Sequence, residues 1–347
     1  MSTRETLSTS GTLLAGLWML AGLFSDGWAH LNVQSTQESF FTPSHLVIYS
    51  GFAVAALVVT RPLWGGRPSM ASVQRVPGML AGLIGVLLFG LGGAADLVWH
   101  ETLGIEVSVE ALLSPTHLLL LVGTVLVLTV PLVAAWQSTP REAAGWRSVG
   151  PAVAAAGLGV AVLVFFTAYA WGPLDPVPLQ EIPPAALDEQ AAGHLEAERM
   201  LTSGLLTRLL STVVLVAPLV GLARRWPLPV GTVLVLVTPS ALGMAVLFSD
   251  TGLPVVAPTV ATLVAAAATD VVIWRLRPSP DRPWAAIGVS GALPLLLWTA
   301  DLLALHLAAG VTWPPELWMG TIAMATVFGL LLGLSAHAPV RSASVHG

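Results

Sequence analysis

Asp26 and His30 stand four residues apart at the end of the first long apolar run, and Asp96 and His100 repeat that spacing at the end of the third. Four residues are about one helical turn, so each carboxylate and imidazole share a helix face. After each run the chain loops and starts a new helix that carries another histidine: Phe41-Thr42-Pro43-Ser44-His45 and Leu113-Ser114-Pro115-Thr116-His117. Proline suits the first helical turn, where its missing N–H has no partner to lose. Each hairpin therefore offers one carboxylate and two imidazoles at one membrane depth. The copies are offset by 70 residues at the aspartates and 72 at the second histidines, which reads as an internal repeat. An Asp/His/His set leaves coordination positions open and suits Cu(II), Zn(II) or non-haem Fe(II), without singling out copper. A single Asp-x-x-x-His reads better as a hydrogen-bonded pair closing a helix end. Two copies in register, on apolar helices where ionisable groups are costly, turn the balance toward metal.

The elements that must position these residues are membrane helices. The chain has 347 residues, of which 10% are charged and 55% apolar, with a mean hydropathy of +0.82. A soluble domain carries roughly 25% charge, so an ordinary soluble enzyme, a disordered chain and a nucleic-acid binder are excluded. There is no cysteine, hence no disulfide, thiolate metal site or cysteine nucleophile. All basic residues are arginine, which excludes P-loop and Schiff-base lysines. Ten runs approach the roughly 20 apolar residues that a spanning helix needs: 9–29, 43–61, 77–99, 114–136, 149–171, 199–222, 229–249, 254–274, 285–308 and 315–336. The seventh and eighth are the least certain. The expected fold is an all-α polytopic membrane protein of about ten transmembrane helices built from repeated hairpins. It forms one membrane domain over 1–347, with a metal-site hairpin pair at 9–136 and degenerate hairpins at 149–336.

Arginine sets the orientation. All but Arg199 and Arg208 fall on one side of these runs, and the opposite loops carry Glu38, Glu101, Glu106, Glu110, Asp175, Glu181, Asp188 and Glu189. The positive-inside rule makes the arginine side cytoplasmic. Both termini are then cytoplasmic, the chain is a multi-pass inner-membrane protein, and the metal sites lie toward the extracytoplasmic side. The first run resembles a signal peptide in outline, but its end carries the pattern that recurs downstream, which argues for a retained helix.

These residues resemble the C subunit of the particulate methane and ammonia monooxygenase family, over about residues 10–136. Asp26-Gly27-x-x-His30 with Phe41-Thr42-Pro43-Ser44-His45 is similar to that family's aspartate–histidine–histidine copper site. Asp96-x-x-Trp99-His100 with Glu110-Ala111-Leu112-Leu113-x-Pro115-x-His117 is similar to its neighbouring site, where the family usually has asparagine in place of Asp96. The Phe-Thr-Pro-Ser-His run is the most specific part. The resemblance implies copper on Asp26, His30 and His45, a second set of Asp96, His100 and His117 with Glu110 supporting it from nearby, and partner membrane subunits.

The second half repeats the pattern with decay. Asp301 and His306 are five apart, about 140° around a helix, which disfavours joint ligation, and Glu316 stands where earlier copies have histidine. Asp250 with Ala257-Pro258-Thr259-Val260 is fainter still, with valine at the ligand position. The acidic, proline-rich stretch 172–198 reads as a lid or docking surface. Arg208 lies nine residues into its run, about 14 Å deep. An intramembrane ion pair with Asp301 is expected, with Asp270 as the second choice. The main reading is thus a membrane metalloprotein with Asp/His/His sites near the outer face, copper before zinc or iron, doing oxygenase-like redox chemistry on a small or lipid-soluble substrate. Its surroundings are the lipid bilayer and partner subunits or further copies of itself. The alternatives are a non-enzymatic protein that binds copper or zinc for transfer or uptake, and a structural membrane partner with relic sites.

Overall fold

The computed structural model describes residues 3–32, 40–64, 69–104, 109–184, 189–190 and 192–337. Among them the regular structure is helical, with no extended strand. The helices are α1 (Thr3–Asn32), α2 (Pro43–Thr60), α3 (Met70–Arg75), α4 (Met79–Leu103), α5 (Val109–Leu113), α6 (Pro115–Leu128) and α7 (Val130–Ser138). They continue with α8 (Trp146–Phe166), α9 (His194–Arg225), α10 (Thr232–Leu247), α11 (Val256–Leu276), α12 (Pro283–Ala309) and α13 (Pro315–His337).

Seven of these helices are long and apolar enough to cross a membrane, or eight if the bent pair α6 and α7 forms one span. The bend is 42°. It falls at Thr129, just before Pro131 in the first turn of α7, where proline brings no N–H to continue the ladder. The two expected spans outside that number are α1, whose last turns carry Ser25, Asp26 and His30, and α10. The latter has 16 residues, about 24 Å at 1.5 Å per residue, short of a roughly 30 Å hydrocarbon core. Leu87, Val264 and Leu331 lie exposed in the middle of their helices, an apolar surface that hydrocarbon covers and water does not.

The bundle is organised around α8. Its sequence of alanine, glycine and valine is apolar on every side, and nearly all of it is buried, as expected of a helix surrounded by others. It packs against α1, α6 and α7 on one flank and α9 and α10 on the other. On the first flank α1 pairs with α2 and α4 with α6, while α2 also meets α4 and α1 meets α6. The two hairpins that carry the Asp/His/His sets therefore lie side by side. Each is drawn tight by a glycine. A Cβ on Gly22 of α1 would stand 2.7 Å from the Ile48 backbone nitrogen of α2, and one on Gly123 of α6 would stand 2.5 Å from that of Phe89 in α4. Small residues at such crossings let backbones approach in a bilayer, where helices gain nothing from hiding apolar surface.

In the second half α9, α12 and α13 pack together, and α11 bridges α10 and α12. The stretch after α8 is folded in: three short 3-10 turns follow, and Trp171, with Gly172, Pro173 and Leu174 of the second turn and Pro178 of the third, is buried. Thr312 donates its backbone N–H to the Pro178 carbonyl at 2.9 Å, and Gly172 N–H donates to Ser211 Oγ at 2.9 Å.

Candidate metal centre

The first set is built by two helix ends. Asp26 and His30 lie one turn apart on α1, and His45 lies in the first turn of α2. Thr42 caps α2 in extended conformation, Pro43 follows, and the His45 backbone N–H donates to Thr42 Oγ1 at 3.1 Å. This is the cap that an orphan N–H in a first turn needs. Ser44, between proline and histidine, donates its hydroxyl to Asp26 Oδ1 at 2.6 Å. His45 Nε2 is 3.4 Å and His30 Nε2 3.7 Å from the two carboxylate oxygens.

The second set uses the same parts. Ser114 caps α6, Pro115 follows, and Thr116 donates its hydroxyl to Asp96 Oδ1 at 2.8 Å. His100 Nε2 is 3.5 Å from Asp96 Oδ2, and His117 Nδ1 is 3.7 Å from Oδ1. In both hairpins the order hydroxyl, proline, hydroxyl, histidine divides the labour. The first hydroxyl caps the helix, the second fixes the aspartate, and the histidine reaches the same carboxylate. In each set one ligand atom per residue lies within 4.8 Å of the others. The Glu110 side chain lies outside the described residues.

Local chemistry fits a cation at the first set. His45 Nδ1 is 2.5 Å from the Phe40 carbonyl. A carbonyl only accepts, so Nδ1 carries the hydrogen, and in neutral imidazole Nε2 is a bare lone pair. That lone pair faces an acidic oxygen, an arrangement that needs a positive charge between them, either a proton on the ring or a metal ion. A backbone carbonyl behind the far nitrogen is also what orients metal-bound histidines. At the second set the buried His100 Nδ1 has no hydrogen-bond partner. His117 differs from His45, because its Nδ1, the atom nearer the carboxylate, lies 2.6 Å from Ser114 Oγ. In the first set the nitrogen facing the carboxylate makes no other hydrogen bond among the described residues, whereas the second must give up a hydroxyl contact to use that nitrogen. The second is also deeper, with the Asp96 side chain 2% exposed against 15% for Asp26.

All six residues line a single cavity of about 460 Å³. Its remaining wall is largely apolar, from Met19, Leu23, Phe89, Leu120, Phe165 and Phe248 among others, with α5 over one side. Both tyrosines of the chain, Tyr49 and Tyr169, line it too. The Phe40 ring joins the sets, with its centroid 4.9 Å from that of His45, 5.6 Å from Tyr49 and 6.2 Å from His100. Sequence reasoning singled out neither Ser44, Thr116, Phe40 nor Tyr49. The signal for the first two was present, as a hydroxyl on each side of the proline in both copies.

The remaining candidates lie elsewhere. The His306 ring packs on Trp318 at 5.3 Å, and Asp250 accepts the Trp28 indole N–H at 2.8 Å. Asp270 accepts the backbone N–H groups of Val233 and Leu234 at 3.1 and 3.0 Å, so it caps α10 from the neighbouring helix. Arg208 is fully buried between two carboxylates. Its Nη1 donates to Asp175 Oδ2 at 2.9 Å and its Nη2 reaches Asp301 Oδ2 at 3.5 Å. The guanidinium lies 5.6 Å from the Trp298 ring and 5.1 Å from the Trp313 ring. Because α9 begins at His194, five residues before the expected start, Arg208 is about 21 Å along it. A scan against protein-family models found no match to this chain, and searches of curated proteins and of solved structures found none.

Proposed function

We propose that this chain is a membrane metalloprotein of the oxygenase-like kind, with two inequivalent Asp/His/His sites, copper as the metal and a small lipid-soluble molecule as the substrate. The observation that carries the reading is one largely apolar cavity lined by both sets. Asp26, His30 and His45 hold the first ion, and Asp96, His100 and His117 the second. Copper bound there supplies one-electron redox chemistry, and imidazole and carboxylate donors suit it. The protein's own work is to orient. Phe40 fixes the His45 tautomer through its carbonyl, Ser44 and Thr116 fix the aspartates, and the apolar wall excludes water. Transfer of metal across the membrane calls for polar groups leading away from the cavity. Asp270 is instead committed to the α10 cap, and Arg208 is enclosed by Asp175 and Asp301, which favours the redox reading over transport. The likeness to the monooxygenase C subunit over residues 10–136 supports the same reading, with partner subunits, and the duplicated hydrogen bonds support a hairpin repeat.

The two carboxylates share a cavity of low polarity, so a cation at one set disfavours a second nearby. The first set, with its preset histidine, fills first. Titration of purified protein with Cu(II), followed by electron paramagnetic resonance, is expected to give one tight site with nitrogen ligands and one weaker by about tenfold or more. Two equal and independent sites, or no retained copper, would exclude this arrangement.

The reading includes ten spans, with α1 and α10 counted among them, both termini in the cytoplasm, the inner membrane as location and the cavity opening outward. Arginine asymmetry supports it. Cysteine placed at Glu189 should react with an impermeant maleimide on intact cells, and cysteine at Arg61 only after the membrane is opened. The reverse pattern would turn the whole topology over.

A further inference from the structure

The opposite end of the bundle carries a second recess. α6 starts at the metal centre and α7 continues away from it, so the C-terminal end of α7 marks the far face. There it meets the C-terminal ends of α9 and α13 around a groove of about 770 Å³. Three arginines line it: Arg141 just after α7, and Arg224 and Arg225 in the last turn of α9. Its wall is mostly apolar, from Trp136 of α7, Val220 and Gly221 of α9, and Leu332 and Ala336 of α13, with Ser335 among them.

The charge in this groove is not met by a carboxylate of the described residues. Among the described residues, no carboxylate lies within ion-pair distance of any of the three arginines. Arg225 is held rigidly, with Nη2 donating to the Trp136 and Thr139 carbonyls at 3.1 and 2.7 Å and its guanidinium 5.0 Å from the Trp226 ring. Its Nη1 is buried without a partner. Arg141 and Arg224 are exposed, and Arg141 Nη2 reaches the Arg224 carbonyl at 3.4 Å. Carbonyl contacts orient these groups but leave their positive charge in place. A phosphate answers that charge in the geometry guanidinium prefers.

From this we propose that the groove binds an anionic phospholipid, its phosphate between Arg141 and Arg224 and an acyl chain along α9 and α13. Charge complementarity and position select this occupant. Basic recesses between membrane helices at the headgroup level take anionic lipids. The apolar wall runs on from the basic mouth, so the ligand joins a charged head to a hydrocarbon tail. Gly221 gives the chain its room: a Cβ there would meet nothing within 4 Å. This site is independent of the metal reading.

The test uses the full-length protein in neutral detergent, with native mass spectrometry of bound lipid. Phosphatidylglycerol, phosphatidylcholine and inorganic phosphate are offered separately and in competition. Phosphatidylglycerol is expected to be retained in preference to phosphatidylcholine. R141Q/R224Q should weaken its binding about 25-fold, roughly fivefold per arginine. Gly221→Leu should weaken it with no change of charge, by filling the chain's place. R275Q/R277Q, which removes two like charges at the end of α11, should bind as wild type. Arg225 is left in place, because it supports the α7 end, and thermal unfolding checks that each variant folds. Equal retention of the two lipids, unchanged binding in R141Q/R224Q, unchanged binding in Gly221→Leu, or full displacement by inorganic phosphate would each overturn the proposal.

Discussion

His45→Ala is expected to strip the first set of metal while the protein still inserts and folds. His45 supplies the one nitrogen whose lone pair is preset, since the Phe40 carbonyl 2.5 Å from Nδ1 forces the hydrogen onto that side. Losing a supporting hydrogen bond to a ligand costs 10–100-fold in metal affinity, so losing the ligand itself should exceed about 100-fold. Ser44→Ala supplies the graded comparison. It deletes the 2.6 Å bond to Asp26 Oδ1 but no ligand, so affinity should fall by about tenfold. The His45 side chain is 13% exposed at the edge of an existing cavity, so truncation enlarges open space rather than opening a void in a packed core. Copper titration of wild type, Ser44→Ala and His45→Ala tests the order. If His45→Ala binds the first equivalent as tightly as wild type, the assignment of this set is wrong.

Arg208→Leu should be the most destabilising single change in the second half. The guanidinium is fully buried, between Asp175 at 2.9 Å and Asp301 at 3.5 Å. Removing one partner of a buried ionic group typically costs about 3–5 kcal/mol, because the remaining charges stay behind uncompensated. Here there are two. The loss also undoes the seam between the segment after α8 and the bundle, since Thr207 Oγ1 and Arg208 Nη1 both donate to the Asp175 carboxylate. The compensating variant R208L/D175N/D301N removes the stranded charges and should recover most of the stability. Unfolding in a detergent titration measures both. A cost below about 1 kcal/mol for Arg208→Leu, or no recovery in the triple variant, would contradict this account of the cluster.

The contrast between these two sites explains what the sequence made legible. Asp26 with His30 and Asp96 with His100 are local pairs on one helix, so a spacing of four reveals them. His45 and His117 are announced by the proline that starts their helices. The seven helices long and apolar enough to cross a membrane, eight with the bent pair, are equally plain, because apolar length alone marks them. Asp175 was not legible as a partner of Arg208. It sits in an acidic, proline-rich stretch that reads as an outside loop, and only tertiary folding carries it back, with Trp171 to Leu174 buried beneath. The Asp301 partner was readable from depth, whereas Asp270, similar by that criterion, is taken by backbone N–H groups of α10. The bend near Thr129 was hidden because Pro131 lies inside an unbroken apolar run. Shared use of one cavity by both sets depends on α2 packing on α4 and α1 on α6, and no single-helix periodicity encodes that.

Both tyrosines of the chain border the cavity lined by the two Asp/His/His sets, whereas its tryptophans number 13 and are spread through the bundle. The protein therefore carries its own reporter. A signal selective for phenol side chains, such as resonance Raman scattering or isotope-edited infrared absorption with labelled tyrosine, arises from Tyr49 and Tyr169 alone. It reads the cavity without a background from the remaining 345 positions. Entry of a ligand, filling of either set or a change of solvent in the cavity should all register there, with no label chemically attached to the protein. A Tyr169→Phe variant would reduce the signal to one ring, Tyr49, which lies within 6.1 Å of the His45 ring centroid.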